Sequence, residues 1–559
     1  MIKIKLKDIA LKLNKNISEI ARETGINRNT ITSFYHNTVD GVKFETVEKI
    51  CDYYNLTLTD FLEYTPIKKQ EDKSIYRHVA DGVFFTLWSP LIANEQLDEF
   101  YFRNEIGRNV VLFQGDKVEL YYDKKKMDLL GEEICNKYNN KQAVFDLYSA
   151  HESRSKEIEY LYDNFDAERI VNFSEGELRN FIRDFTDRYN RFWSIAGFFK
   201  GYDAGYDRKK IVEIAERYKL SSGEIGILTK NEKIIFNDER LIILMEIALN
   251  ILKGQKGKIS EARIKELVSK SSAVKEYIRK FRYYKANYVQ ESNITMAEVE
   301  KEIIKLIKDP QVLRREYERL LNYEELNKRE IDKVLRRHKL KENPLWFFAF
   351  LTYWREQRKR VNLMGVNMLF SALKSLEKLS HIPIDYLKQA NLEEVDSILK
   401  GSVDIDVLKK RHELGFVAVI DGSNYKIITG NEAHKEIEGW REKFEAEGGD
   451  DVFFGSIASQ GYASGLALVV NSARDLKAVA PDSIIILKND KINIDAIIAS
   501  IAAVVIPSGT VDCEAAELAR EYDKPCIVGI PDLSDQIKNG DLVDVRGNHG
   551  TVRILKRKK

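Results

Sequence analysis

The stretch SGTVDCEAAELAREYDKPCIVGIP, Ser508 to Pro531, sets a thiol between two carboxylates at the point where an alanine-rich helix begins. Asp512 and Glu514 flank Cys513 there. Carboxylates at a helix start accept hydrogen bonds from its free amides and complement its dipole. A thiol in the same place can be held as a nucleophilic thiolate, and a carboxylate could take a phosphoryl group as an acyl phosphate. Read from the residues alone, Asp512 and Glu514 are helix-start groups. A second set of functional side chains lies in NISEIARETGINRNTITSFYHNT. Arg28, Asn29, Thr32 and Ser33 share one face at the start of a helix, and Arg and Asn are the residue types that bind guanine and adenine edges in pairs of hydrogen bonds.

Other chemistry is missing from the pattern. No GxxxxGK[ST] loop occurs, since GQKGKIS near Gly254 has the wrong spacing. No HExxH or comparable ligand cluster appears among the eight dispersed histidines. The expectation is therefore no catalytic residue, no metal and no cofactor. Cys51, Cys135, Cys513 and Cys526 form no CxxC pair, which excludes a disulfide framework or zinc finger and suits a reducing cytoplasm. A basic run at Arg355, Arg358, Lys359 and Arg360 could hold a small phosphorylated ligand, although such a run is more often a solvated helix face with Leu351 and Trp354 in the core.

A chain of 559 residues must build several cores, roughly three or four. Its 89 Lys and Arg against 88 Asp and Glu exclude any global attraction to nucleic acid or anionic lipid. Within residues 1–36, however, seven basic residues face three acidic ones. The opening MIKIKLKDIALKL mixes charge into its apolar residues, so no signal peptide is expected. The longest apolar runs, LWFFAFLTYW and AIIASIAAVVIP, fall short of the roughly 20 residues of a membrane span. The pattern divides the chain into an all-α head (1–65), a polar linker (66–74), a mainly helical middle with small β-hairpins (75–449) and an α/β tail (450–559). VVLFQGDKVELYYD and FVAVIDGSNYKIITG read as the hairpins, Glu175 to Leu399 as packed amphipathic helices, and Glu436 to Gly449 as a charged helix.

In the head, Ser18 is expected to cap a helix, Gly25 to supply the turn, and Asn27 to cap the next helix, with Ile20, Ala21, Ile31 and Phe34 inward. From Lys5 to Tyr64 this pattern resembles the Cro and phage-repressor type of helix-turn-helix, a five-helix module. The resemblance implies double-stranded DNA as partner, homodimers on paired half-sites, and Ser18, Asn27, Arg28, Asn29, Thr32 and Ser33 at the interface. Ile17 stands where that family often has a phosphate-contacting Gln.

The tail segments GSIASQGYASGLALVV, DSIIILKND, AAVVIPSGT, CEAAELAREYDKPCIVGIP and NGDLVDVRGNHGTVRIL resemble the swivelling phosphohistidine domain of phosphoenolpyruvate-utilising enzymes. Gly455, Gly461 and Gly465 match its first hairpin; Ala519, Arg520, Glu521, Pro525 and Gly529 its helix and next strand; Gly540, Asp541 and Gly550 its closing strands. Catalytic members carry two glycines, then a small residue and the acceptor His. Here those places hold Gly509, Thr510, Cys513 and Glu514, so the acceptor loop is degenerate. His549 is expected at the surface. In the middle, RFWSIAGFF, FRYYKANYVQE and FLTYWREQRKRVNLMGVNML weakly resemble the helical regions that precede such domains in a group of bacterial proteins. The whole reads as a cytoplasmic DNA-binding regulator whose swivel-type domain is a sensor or docking module. The alternatives are a phosphotransferase component with an unconventional acceptor and a protein-interaction scaffold.

Overall fold

The computed structural model describes the chain except residues 1, 14, 37–42, 65–74, 82–100, 103–105, 107, 116, 138–139, 165–166, 203–206, 254–258, 287–288, 290–292, 422–423, 448–449, 510, 512, 531–532, 549 and 559. The expected linker, the hairpin residue Asp116, and Thr510, Asp512 and His549 lie outside the described residues. The chain forms two units, Met1–Lys73 and Ser74–Lys559. Among the described residues no helix is long and apolar enough to cross a membrane.

Among its described residues the head has five helices, α1 (Leu6–Lys12), α2 (Ile17–Thr24), α3 (Arg28–His36), α4 (Phe44–Tyr54) and α5 (Leu58–Phe61). Strand β1 (Ile2–Ile4) pairs antiparallel with β2 (Leu62–Tyr64), which ties the two ends of the helical set together. Ile20, Ile31, Phe34, Ile50 and Phe61 are buried at its centre.

In the second unit, β3 (Ile75–Asp81), β4 (Asn109–Gln114), β5 (Lys117–Asp123), β6 (Phe416–Asp421) and β7 (Asn424–Thr429) come from the middle of the chain. The tail supplies β8 (Asp450–Phe454), β9 (Ser456–Ser459), β10 (Tyr462–Val470), β11 (Ile484–Leu487), β12 (Ala503–Ile506), β13 (Cys526–Val528), β14 (Leu542–Arg546) and β15 (Thr551–Lys556). Both expected hairpins form, but they do not stay small. They join the tail in one thirteen-stranded sheet, ordered β7-β6-β4-β5-β3-β8-β15-β14-β10-β11-β12-β13-β9. The junction is β8, which pairs in parallel with β3 (His78 opposite Val452) and antiparallel with β15 (Val552 opposite Phe453). The charged helix runs from Gly430 to Glu447 rather than from Glu436, because Ala433 and Ile437 bury its first turns against β4 and β6.

Within the tail β10 changes partners along its length. Residues 462–466 pair antiparallel with β14, and residues 467–470 pair in parallel with β11. Gly465 sits at the change, where a Cβ would come 2.6 Å from the Asp482 carbonyl oxygen. Strands β11, β12 and β13 are buried on both faces, as a sheet covered on both sides requires. Ile484, Ile486, Val505 and Ile527 pack toward β14 and β15, whereas Ile485, Val504, Ile506 and Val528 pack toward the helix Glu514–Glu521 through Ala515, Ala516 and Ala519.

The helical body packs around the long helix Trp346–Ser380, most of which is buried. Trp354 and Leu351 are core residues there, as expected. Buried polar groups attach this body to the tail. Arg546 of β14 pairs with Asp207, and its Nε donates to Asp544 at 3.1 Å. Burial works against the Arg546 charge, but Asp207 and Asp544 outweigh it and raise the guanidinium above its ordinary value. Asn548 Nδ2 donates to Thr229 Oγ1 at 2.8 Å and to the Gly226 carbonyl at 3.2 Å, while Gly461 N donates to Asn548 Oδ1 at 2.7 Å.

Thr229 and Gly226 belong to the helix Ser222–Thr229, whose start is fixed by the capping box of Ser221 and Glu224. The Ser221 backbone N–H holds Glu224 down to about 2, with help from His338, the Ser221 hydroxyl and Arg337. A depressed carboxylate stabilises fully above its unfolded value and loses that contribution as pH falls through its folded value. Acid unfolding of the second unit should therefore include a component between about pH 4.5 and pH 2 that Glu224→Gln removes, read by circular dichroism across a pH titration. Asp207→Ala, which leaves a buried guanidinium short of a partner, should lower stability by about 3 kcal/mol in denaturant titration.

Candidate nucleic-acid interface and acceptor loop

In the head, Gly25 adopts φ 66°, the left-handed conformation that turns the chain from α2 into α3. Asn27 caps α3 as expected, its Oδ1 accepting from Asn29 N at 2.8 Å. Ser18 does not cap α2. The extended residue at that boundary is Asn16, whose side chain accepts from Glu19 N at 3.0 Å while Glu19 accepts from Asn16 N at 2.8 Å. Ser18 stands exposed in the first turn of α2. The signal was present in the sequence as Asn-x-x-Glu, a capping box two residues earlier.

Arg28 and Asn29 are exposed at the start of α3, and Thr32 and Ser33 are half-buried one turn later. The Thr32 hydroxyl donates to the Arg28 carbonyl at 2.8 Å, which fixes its orientation along the helix. Behind this face, Ile31 and Phe34 are fully buried. Glu23 braces α2 from the other side, accepting from Lys15 Nζ at 2.5 Å and from Tyr54 OH at 2.7 Å. The Lys15 hydrogen bond, followed by that of Tyr54, lowers the Glu23 carboxyl.

In the tail, the loop after β12 is held by backbone. Gly509 N and Gly529 N both donate to the Ile506 carbonyl at 3.1 Å. Gly509 is required there, since a Cβ would lie 2.5 Å from Ile506 Cγ2. Ser508 Oγ donates to the Lys488 carbonyl at 3.1 Å. Arg520 clamps the loop from the helix, its Nη1 donating to the Val511 carbonyl at 2.8 Å and to the Ala458 carbonyl of β9 at 3.0 Å. Sequence reasoning placed Arg520 in the helix and missed this role.

Cys513 is the extended residue before the helix, and its side chain makes no capping hydrogen bond. Glu514 is the first helical residue and exposed, and among the described residues its carboxylate has no hydrogen bond or ion pair. One turn on, Glu517 pairs with Lys305 of the helix Met296–Ile307 in the helical body. Cys526 is buried beneath this helix, and burial pushes its thiol up, away from nucleophilic use.

The basic run is divided among separate partners. Arg360 pairs with Glu159. Arg355 and Arg358 lie over the Phe199 ring at 5.6 and 4.7 Å, and Lys359 Nζ reaches Ser456 Oγ of β9 at 3.4 Å. Asn16→Ala should cost about 1 kcal/mol of helix stability, seen as an approximately fivefold faster amide exchange in α2. Ser18→Ala should leave that exchange within about twofold of the parent.

Comparison with known proteins assigns the two ends of the chain. Residues 5–66 match the family model of the Cro/C1-type HTH DNA-binding domain, and residues 479–550 match that of the PEP-utilising enzyme, mobile domain. Curated relatives include an uncharacterized phosphotransferase, YvkC, of Bacillus subtilis (strain 168), 26% identical over 104 residues, which are 19% of this chain and 12% of that protein. Chondramide synthase cmdD of Chondromyces crocatus is 33% identical over 101 residues, 18% of this chain and 3% of that protein. The matches thus span a small fraction of either relative. The chain carries a Cro/C1-type helix-turn-helix at its head and a PEP-utilising-enzyme mobile domain in its tail.

Proposed function

We propose that this chain is a cytoplasmic, homodimeric DNA-binding transcriptional regulator whose swivel-type domain is non-catalytic and serves as a fixed sensing or docking module. The observation that carries the reading is the pairing of a Cro/C1-type head with Glu514 at the acceptor position of the tail. Arg28 and Asn29 read base edges from the exposed start of α3, with Thr32 and Ser33 beside them and Ser18 and Asn27 completing the interface. In phosphotransfer by this class of domain, an imidazole nitrogen takes the phosphoryl group and the domain moves it to a second site. A carboxylate is a far weaker nucleophile than the imidazole nitrogen it would have to replace. The attachment of the tail through β8 and Arg546 also opposes the swing that such transfer needs.

The second reading is phosphotransfer with an unconventional acceptor, favoured by the name of the Bacillus relative. Incubation of the purified protein with radiolabelled phosphoenolpyruvate or ATP separates the two. The regulator reading expects no label. Stable label that disappears in Glu514→Ala or Cys513→Ala establishes the enzyme instead. DNA binding is tested by fluorescence anisotropy on the sequence upstream of the protein's own gene. Affinity should fall steeply with salt as counterions are released, and Arg28→Ala or Asn29→Ala should cost about 1 to 3 kcal/mol there and less on random DNA. Equal losses on both would contradict the assignment of α3, and no DNA binding at all would favour a protein-interaction scaffold.

A further inference from the structure

Five aromatic side chains form a continuous strip on the surface of the helical body. Phe145 and Tyr148 stand three residues apart on the helix Lys141–Asp163, and Trp346, Phe350 and Tyr353 follow at four- and three-residue spacing on Trp346–Ser380. Each helix therefore turns its set to one side. Ring centroids are 6.5 Å apart between Trp346 and Phe145, 5.2 Å between Phe145 and Phe350, 5.3 Å between Phe350 and Tyr148, and 6.2 Å between Tyr148 and Tyr353. The buried Trp354 holds the strip from beneath, meeting Tyr148 edge-on at 5.3 Å. Phe145 is nevertheless 45% exposed, and the other four rings are half-buried. Apolar side chains scattered over a surface are ordinary, whereas a contiguous apolar patch marks a place of binding.

The strip runs into a cavity of about 420 Å³ beside His151, and Tyr148 and Tyr353 belong to both. That volume suits a small organic molecule. The wall also carries four glutamates against two lysines and one arginine. Glu159 is paired with Arg360, and Glu152 with Lys156 at 3.8 Å. Glu324 is exposed and, among the described residues, makes no hydrogen bond or ion pair. An anion would meet this surplus of carboxylate, whereas a cation is attracted both by a carboxylate and by the face of an aromatic ring. Cations already sit on the two ends of the strip. Lys141 Nζ lies 5.3 Å from the Trp346 centroid, and Lys233 Nζ lies 5.6 Å from that of Tyr353, with no carboxylate partner among the described residues. We propose that the strip and the cavity together bind a planar aromatic organic cation, its rings laid against Phe145, Phe350 and Tyr148 and its charge at Tyr353 and Glu324, on the ring face that Lys233 covers. Its occupancy is read without DNA or phosphate transfer.

The test is fluorescence titration of the full-length protein with two planar cations, berberine and acriflavine, beside the neutral acridone and the anionic pyrenesulfonate. At least one cation should saturate the protein about tenfold more tightly than either other probe. Tyr353→Leu should weaken that cation about tenfold, and Glu324→Gln about threefold with acridone unchanged. Lys233→Ala removes the competing ammonium and should strengthen the cation about threefold. Glu324 and Lys233 are exposed, so their variants decide the matter if Tyr353→Leu fails to fold. No saturable binding of either cation, equal or tighter binding of acridone or pyrenesulfonate, a cation weakened by Lys233→Ala, or a cation unchanged in every folded variant would each overturn the proposal.

Discussion

The larger unit depends on the shared pairing of β8. This strand gives one edge to β3 from the middle of the chain and the other to β15 from the tail, so two parts that the sequence separates become one sheet. Each edge contributes only three paired residues, and net backbone hydrogen bonds are worth about 0.5–1.5 kcal/mol each. Such a seam alone would open readily. The buried groups beside it change the balance. Separating Arg546 from Asp207 strands charge in the interior, a cost of about 3–5 kcal/mol, and moving Asn548 away from Thr229 and Gly226 breaks a buried polar network.

The loop before Glu514 is held by groups other than the side chain at 514. Gly509 makes the close turn, Arg520 clamps Val511 to β9, and three alanines seat the helix on the sheet. None of these interactions involves the side chain at 514, so the fold tolerates a carboxylate there without adjustment. The same helix meets the body through Glu517 and Lys305, an exposed pair that adds little to the attachment.

Local patterns in the sequence carried a good deal of this architecture. The helix-turn-helix turn at Gly25, the cap at Asn27, both hairpins, and the buried Leu351 and Trp354 follow from periodicity and turn chemistry that act within a few residues. The cap of α2 was misread because Ser18 and Asn16 are both good capping residues, and only the reciprocal bond from Glu19 decides between them. What the sequence did not reveal was non-local. The pairing of β3 with β8 joins residues far apart in the chain, Arg546 meets Asp207 across 339 positions, and the cavity at His151 needs two helices brought together. No periodicity within one segment encodes such partners.

Amide hydrogen exchange of β8 in the full-length protein tests the account most directly. If the tail is fixed to the body, the β8 amides should exchange only with global opening of the second unit, with the same protection as β14. Exchange of β8 through a low-energy local opening while β14 stays protected would show a tail that swings, and would contradict the account.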